Sequence, residues 1–276
     1  MHIEKRFVIF LTNIDQSLKF INSLSPSKVK TTDDSESIYS IMLKNNGRFD
    51  FDFFITRLEN NLILDANIKF SEAIESFFKK YKLKNAKFDT HQSTNKEFFQ
   101  KFYTINKDIN EAGRIISLEE ISKQIIKTSN QNNDNPILVI QEDNRFLIQN
   151  KIVLRVFIDS KIALIFDEEV KKYFTEIKAI ENVDDFFIEN KIIDGSWLIR
   201  EKSIILEYGF DKLCNESVID FNKGCYLGQE LITRIKRSGV IRKKVKKIPN
   251  EDSAKNSNAE IIKVGSKSTL ILDSIE

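Results

Sequence analysis

The chain has 276 residues, enough to bury a substantial core in one large domain or in two to three small ones. Its 43 basic and 41 acidic side chains nearly balance, so no global field for polyanions such as nucleic acids is indicated. Two cysteines and two histidines exclude a disulfide framework and a self-contained zinc site, and they fit a reducing cytosol. We see neither a signal peptide nor an apolar run that could cross a membrane, and therefore expect a cytoplasmic protein without membrane contact.

Strand and helix patterns alternate in the first third of the chain. Residues 7–11 have the pattern of a buried strand, and a helix that ends near Pro26 follows. The runs 37–43 and 48–58 are strand-like, and the Lys-Asn-Asn-Gly sequence between them is typical of a hairpin because Asn and Gly tolerate positive φ. A further helix is predicted to begin at Ser71.

The pattern restarts after a polar, chain-breaking link. Residues 97–126 are helical in character, and the stretch 128–136, rich in Ser, Asn and Asp and ending in Pro, is the best candidate boundary. Strand-like runs resume at 137–140 and 152–158. Strands and helices on both sides of the break predict two related α+β halves.

The most informative stretch is Lys223-Gly224-Cys225-Tyr226-Leu227-Gly228-Gln229-Glu230, followed by the apolar pattern of a helix. A thiol at a helix mouth lies near unpaired backbone N–H groups and the positive end of the helix dipole. With Lys223 two residues away, this setting predicts a lowered pKa for Cys225, as in a nucleophile or metal ligand. The alternative is a small buried residue at a tight turn, with Gly224 and Gly228 serving backbone geometry.

This octapeptide resembles the signature of the YgfZ family, folate-binding proteins related to the glycine-cleavage T-protein and linked to iron–sulfur cluster maintenance. Further similarities occur in the family's order over roughly residues 1–245. They are Gly47-Arg48-Phe49 with Asp52-Phe53-Phe54-Ile55, Tyr81-Lys82-Leu83-Lys84, Leu206-Glu207-Tyr208-Gly209-Phe210, and Arg234 with Arg237-Ser238-Gly239.

The resemblance implies an α+β architecture, the GcvT/YgfZ-like folate-binding fold of two ferredoxin-like halves. We expect an N-terminal α+β half at 1–130 and a second half at 131–240 that carries the octapeptide. A shortened C-terminal β segment is expected at 241–276, since its strand-like runs are too few for the small β-barrel that usually ends this fold.

The resemblance also assigns site residues. Cys225 would ligate or deliver iron–sulfur intermediates, or act as a redox-sensitive thiol. Its supporting residues would be Lys223, Gly224, Tyr226, Gly228, Gln229, Glu230 and Arg234, of which Gln229 and Glu230 either hold the loop backbone or merely stabilise the loop-to-helix junction. Cys214 has no comparable setting, and we expect it to be a packed or loop residue.

For tetrahydrofolate, the resemblance assigns Glu207 to the pterin ring. A carboxylate can accept two hydrogen bonds from the exocyclic amine and the adjacent N–H of that ring. Trp197 would be a stacking platform, with interior packing as the alternative. The family's Thr-Asn-Asp run after the first helix is absent here, and the displaced Thr32-Asp33-Asp34 is its candidate substitute.

The function implied is that of a tetrahydrofolate-binding accessory protein, not a self-standing enzyme. It would support assembly or repair of iron–sulfur clusters in client or assembly proteins, including enzymes of tRNA modification. A glycine-cleavage aminomethyltransferase is the alternative, opposed by Cys225 because that family typically has an aspartate there. A third hypothesis is an RNA-binding module acting through the basic residues 234–247, but their alternation is typical of an edge strand, so nucleic acid is not an expected partner.

Overall fold

The computed structural model describes residues 4–30, 37–92, 96–106, 118–129, 136–146, 151–174, 176–255 and 259–275. Its strands are β1 (Glu4–Leu11), β2 (Ser37–Leu43), β3 (Phe49–Leu58), β4 (Asn61–Asn67), β5 (Thr90–Gln92), β6 (Phe98–Asn106), β7 (Leu138–Glu142), β8 (Lys151–Asp159), β9 (Lys178–Ala179), β10 (Lys243–Pro249), β11 (Glu260–Val264) and β12 (Ser268–Ser274). Its α-helices are α1 (Ile14–Leu24), α2 (Ser71–Tyr81), α3 (Leu118–Ser129), α4 (Ser160–Ala163), α5 (Phe166–Glu169), α6 (Val183–Glu189) and α7 (Gln229–Ser238).

Nine of the described strands form one antiparallel sheet in the order β2-β3-β4-β1-β6-β8-β7, with β5 added to β1 and β9 to β6. In the second part of the chain, β6-α3-β7-β8-helices-β9 gives the spatial order β9-β6-β8-β7, which is the ferredoxin-like arrangement. The first part repeats it as β5-β1-β4-β3, with β2 as an extra edge strand. Pairing of β1 with β6, at Arg6 and Phe98, joins the two units. The predicted α+β fold of two ferredoxin-like halves is therefore confirmed.

The prediction of helix over 97–126 is wrong for its first part, which is the central strand β6. Both faces of β6 are buried, so its sequence lacks the apolar–polar alternation of a half-exposed strand. Lys101 lies inside, where its Nζ donates to the carbonyl oxygen of Ala163 (2.9 Å) and to Asp167 Oδ2 (3.0 Å). Because β6 and α3 belong to the second unit, that unit starts before residue 131 in the sheet; the division into folding domains stays a prediction.

Helices α1 and α2 pack together beside the first unit through aromatic contacts. The ring of Phe20 on α1 lies 5.9 Å from Phe77 and 5.7 Å from Phe78 on α2, centroid to centroid. Helix α2 begins at Ser71 as predicted. Helix α1 is capped by Asn13, whose side chain accepts from the backbone N–H of Gln16. These contacts hold α1 in place, and the octapeptide lies against its C-terminal end.

The C-terminal strands form a separate three-stranded antiparallel sheet in the order β10-β12-β11. As predicted from its alternation, β10 is an edge strand. Three of its lysines form ion pairs: Lys243 with Glu260 (3.8 Å), Lys246 with Asp273 (2.6 Å) and Lys247 with Glu189 of α6 (2.7 Å). Lys263 of β11 pairs with Asp184 of α6 at 2.7 Å. The sheet is therefore held to the body through α6, and part of the basic run 234–247 is neutralised within the protein.

Candidate functional site

Cys225 lies exposed in a loop of residues 220–228, here called the thiol loop, which leads into α7. The N-cap of α7 is Gly228, with a left-handed φ of 77°, so the thiol precedes the cap by three residues. The helix mouth predicted from the sequence is thus occupied by Gly228 and not by Cys225. Cys225 and Cys214 are both free thiols.

Backbone and side-chain hydrogen bonds tie the thiol loop to the end of α1. The N–H of Asp220 donates to the carbonyl oxygen of Pro26 (3.0 Å), and that of Leu227 donates to Leu24 (3.2 Å). Between them, Lys223 Nζ donates to the carbonyl oxygens of Ser25 (2.9 Å) and Ser27 (2.6 Å). The loop is therefore fixed at both ends and in the middle.

Lys223 acts on this helix end and makes no hydrogen bond to Cys225 within the described part of the chain. The last turn of α1 carries no basic residue of its own, so the ammonium supplies the positive charge that a helix C-terminus favours. Its Nζ also lies 3.4 Å from Asn22 Oδ1. Burial lowers the pKa of Lys223 to about 8. The lysine of the octapeptide thus positions the loop that carries the thiol.

Of the other octapeptide residues, Tyr226 is buried, whereas Gln229 and Glu230 lie in the first turn of α7. Tyr226 is buried in the main core, and burial raises the pKa of its hydroxyl to about 12. Gln229 and Glu230 open α7, where an acid in the first turn suits the helix dipole. We find no side-chain hydrogen bond from either to the loop among the residues that the structure describes. Arg234 lies exposed on the same helix.

The two glycines of the octapeptide differ. Gly228 has a positive φ and lies against Gly47, so a side chain there is excluded by conformation and by space. Gly224 has neither constraint: a Cβ at this position would meet nothing within 4 Å. The expectation that both glycines serve backbone geometry is therefore supported at Gly228 alone.

Cys225 lies on a shallow groove of about 660 Å³ between α1 and the thiol loop, here called the thiol groove. Besides Cys225 it is lined by Leu18, Lys19, Asn22, Ser23, Val29, Lys30, Lys223 and Gly224. Three of these residues are lysines, and none of the described lining residues is acidic. Sequence reasoning missed Lys19 and Lys30, because lysine is abundant throughout and only the fold brings them beside the thiol.

Trp197 lies in a different cavity, of about 320 Å³, between the large sheet, α6 and β11. This Trp197 cavity is lined by Glu4, Asn67, Val183, Asp184, Phe187, Asp194, Ser196, Trp197 and Lys263. The indole packs edge-on against Phe187 (6.1 Å between ring centroids), and Lys263 Nζ lies 5.3 Å from its ring centroid. Trp197 is thus partly packed, with an acidic cavity beside it.

Beside the Trp197 cavity lies the buried carboxyl group of Asp52, near the half-buried Asp194; the sequence places Asp52 in a family motif without assigning it a role. Tyr39 donates its hydroxyl hydrogen to Asp52 Oδ2 at 2.8 Å, and Gly195 packs on the Asp52 carboxyl group. Burial raises the pKa of Asp52 to about 6, and the negative charge of Asp194 adds to the rise. Such a carboxyl group can hold or release a proton near neutral pH. The sequence signal for this carboxyl group was the alternation of aspartates with phenylalanines in β3. Because β3 is buried on both faces, these aspartates lie inside the protein.

Glu207 lies in a turn outside the lining of both the Trp197 cavity and the thiol groove. Burial raises the pKa of its carboxyl group, opposed by the positive charges of Lys243 and Arg48. The structure therefore does not bring Glu207, Trp197 and Cys225 into one pocket. Thr32-Asp33-Asp34, the candidate substitute motif, lies outside the described residues.

Cys214 lies away from the thiol groove, in a left-handed turn with Asn215 and Glu216 (φ 52°, 53° and 64°). Burial raises the pKa of its thiol to about 12, which disfavours a thiolate there and agrees with a packed residue. No group of three or more His, Cys, Asp or Glu side chains that could hold a metal ion occurs in the described part of the chain. No helix among the described residues is long and apolar enough to span a bilayer.

The chain is similar in sequence to curated iron–sulfur cluster assembly factors. It is 27% identical over 256 residues to a protein of Dictyostelium discoideum named "Iron-sulfur cluster assembly factor IBA57 homolog, mitochondrial", covering 83% of this chain and 57% of that relative. The homologue of the same name from Aspergillus oryzae is 46% identical over 50 residues, covering 18% of this chain and 10% of that protein. The chain thus spans little more than half the length of the first of these relatives. No protein-family model matches the chain.

Among solved structures, the fold is similar to that of the glycine cleavage system aminomethyltransferase T from Bartonella henselae. The TM-score is 0.65 with 10% sequence identity, over 99% of this chain and 78% of that one. At this identity the match shows the fold alone. Together with the octapeptide and its ordered companions, these similarities confirm the resemblance found in the sequence: the chain is similar to iron–sulfur cluster assembly factors of the IBA57 type and has a GcvT-like α+β fold.

Proposed function

We propose that this protein supports the assembly or repair of iron–sulfur clusters in other proteins, with Cys225 as the residue that contacts the cluster or its precursor. One observation carries the proposal: the octapeptide presents an exposed thiol on a loop that is hydrogen-bonded to the end of α1 at three points. Thiolate is the ligand that protein-bound iron–sulfur clusters require. The names of the curated relatives support the same role.

The geometry favours transient contact over resident binding. Iron–sulfur clusters are held by several cysteine thiolates, whereas the thiol groove offers Cys225 alone among its described lining residues. Cys225 therefore supplies one ligand, and the remaining ligands come from a client or assembly protein. This division makes the protein an accessory factor. We include iron–sulfur enzymes that modify tRNA among its clients, as the family resemblance implies.

Tetrahydrofolate is the cofactor we propose for the Trp197 cavity. The residues fit its pterin ring: Asp194 is an acceptor for the N–H groups of that ring, and Trp197 gives an aromatic wall. A volume of about 320 Å³ suits a single heterocycle. When bound, tetrahydrofolate supplies a carrier of one-carbon units. The resemblance instead assigns the pterin to Glu207, which lies outside this cavity, and variants of Asp194 and Glu207 separate the two assignments.

We also propose that the protein acts in the cytosol. Two free cysteines suit a reducing compartment, and the sequence predicts the cytosol, whereas the curated relatives are named mitochondrial. Immunodetection of the untagged protein in separated cytosolic and organellar fractions checks this prediction.

A deletion strain tests the function against its main alternative. We expect loss of iron–sulfur enzyme activity and of thiolated tRNA in that strain, and recovery of both when the gene is restored. In parallel, purified protein is assayed for methylene-tetrahydrofolate formation from aminomethylated carrier protein. Robust turnover in that assay, with normal iron–sulfur enzymes in the deletion strain, would replace our proposal with aminomethyl transfer.

A further inference from the structure

The thiol groove combines an apolar floor with a basic rim. Leu18 of α1 and the buried Val29 form the floor, while Lys19 and Lys30 are exposed along it. No carboxylate lies among the described lining residues, although the chain as a whole carries nearly equal numbers of both charges. Within the described residues, the lining of the groove is therefore positively charged and leaves room for apolar side chains.

The groove is held open by its own hydrogen bonds. Asn22 Nδ2 donates to the carbonyl oxygen of Val29 at 2.7 Å, and Asn22 Oδ1 accepts from the Val29 N–H at 2.8 Å. Lys223 bridges the same helix end to the thiol loop. Because both walls are fixed before anything binds, little ordering entropy opposes the docking of a partner.

Gly224 supplies the second observation. Neither a positive φ nor contact with the rest of the described protein requires glycine here, since an added Cβ would meet no atom within 4 Å. Yet Gly224 lines the groove directly beside Cys225. A side chain at this position would project into space that the protein itself leaves empty.

We propose that the thiol groove is the docking site for an acidic segment of the partner protein that shares or exchanges the iron–sulfur cluster at Cys225, an inference that rests on the function proposed above. Carboxylates of the segment pair with Lys19 and Lys30, and its apolar side chains cover Leu18 and Val29. Its main chain passes over Gly224 and brings the partner's own cluster ligands to the thiol. Charge complementarity selects the partner and speeds its encounter.

The test uses synthetic peptides as probes on a Cys214→Ser background, in which Cys225 is the sole thiol. Each peptide carries one cysteine activated as a 2-thiopyridyl disulfide between leucines, flanked either by glutamates or by glutamines. Attack of the Cys225 thiolate on the peptide sulfur forms a new disulfide and releases one pyridine-2-thione, whose absorbance gives the rate. At low salt we expect the glutamate peptide to react roughly 10-fold faster than its glutamine twin, and the ratio to shrink as salt is added.

Two variants with matched controls decide the outcome. Lys19→Gln with Lys30→Gln brings the ratio near one, whereas Lys212→Gln with Lys191→Gln, which removes the same charge from exposed lysines outside the groove, leaves it in place. Gly224→Val slows both peptides several-fold and leaves dithiodipyridine, a small neutral reagent, at the wild-type rate. A ratio that responds equally to both lysine pairs, or peptide rates unchanged by Gly224→Val, would overturn the proposal.

The alternative occupant of the thiol groove is a small anion, and the same assay distinguishes it from a protein segment. If a small dianionic disulfide reagent shows the lysine-dependent preference while the glutamate peptide does not, the groove binds a small acidic thiol and docks no protein segment. These rates do not depend on the proposed function. Failed rescue by Cys225 variants and failed peptide preference can therefore be told apart.

Discussion

Gly47 and Gly228 lie back to back, so that the hairpin turn after β2 and the end of the thiol loop touch through backbone alone. A Cβ on Gly228 would lie 2.8 Å from Gly47 Cα, and one on Gly47 would lie 2.8 Å from the Gly228 carbonyl oxygen. Both residues have a φ of +77°. Two motifs far apart in the sequence thus form one contact, which sets the start of α7.

This contact predicts a large difference between the two glycines of the octapeptide. Gly228→Ala forces a left-handed backbone on alanine and overlaps the Gly47 backbone, so we expect a loss of about 2–4 kcal/mol in the free energy of unfolding. Gly224→Ala is the matched control, with a change between zero and a gain of about 1 kcal/mol. Urea denaturation of both variants measures the difference; equal destabilisation would contradict the role assigned to Gly228.

Lys223→Met keeps the aliphatic stem of the lysine and removes the ammonium that binds Ser25 and Ser27. Because the group is half-buried, we expect a modest loss of about 1 kcal/mol in global stability. The larger effect is local: backbone amides of residues 220–228 should exchange hydrogen faster, since the loop loses its middle attachment. Lys212→Met serves as the control. Unchanged exchange in the thiol loop would show that Lys223 does not position it.

Asp52 predicts a pH dependence of stability. Its pKa in the folded protein, about 6, lies above the ordinary 3.8. Between these values the folded protein keeps a proton that the unfolded chain has lost, so stability falls as pH rises through this window, by on the order of 3 kcal/mol. Asp52→Asn removes this cost. We expect the variant to be more stable than wild type at pH 7 and to converge with it near the ordinary pKa.

Denaturation curves across this range check the Asp52 prediction, with the exposed Asp89→Asn as control. Parallel stability curves for wild type and Asp52→Asn would show that the pKa of Asp52 is not raised. The control should follow the wild-type curve, because the Asp89 side chain is 77% exposed and its replacement removes no buried charge.

Tetrahydrofolate binding can be followed through the fluorescence of Trp197, the sole tryptophan. If the pterin occupies the Trp197 cavity, titration changes this fluorescence, and Asp194→Asn weakens binding roughly 10-fold or more through loss of a charged acceptor. Glu207→Ala should leave the affinity within about 2-fold, since Glu207 lies outside that cavity. If Glu207→Ala weakens binding and Asp194→Asn does not, the pterin binds at Glu207 instead.

The fold could largely be predicted from the sequence because local patterns and the family resemblance agree with it. The hairpin before Gly47 and the helix from Ser71 follow from turn and capping chemistry. The failure was β6, where burial of both faces removes the alternation that identifies a strand. Its polar residues are explained by partners distant in the sequence, such as Asp167 for Lys101.

The candidate site was only partly predictable for the same reason. Cys225 is found by a local motif, but the groove beside it depends on the end of α1 packing against the thiol loop. The ionic target of Lys223 is a helix end from another part of the chain. The pKa of Asp52 is raised by burial and by the charge of Asp194. These two aspartates are far apart in the sequence, and only the fold brings them together.

Cys225 carries the central claim, and its replacement is the most direct measurement. Because the thiol is exposed, Cys225→Ser should leave the free energy of unfolding within about 0.5 kcal/mol of wild type. In the deletion strain, we predict that this variant fails to restore iron–sulfur enzyme activity, whereas Cys214→Ser restores it. Full rescue by Cys225→Ser, at protein levels equal to wild type, would contradict the account.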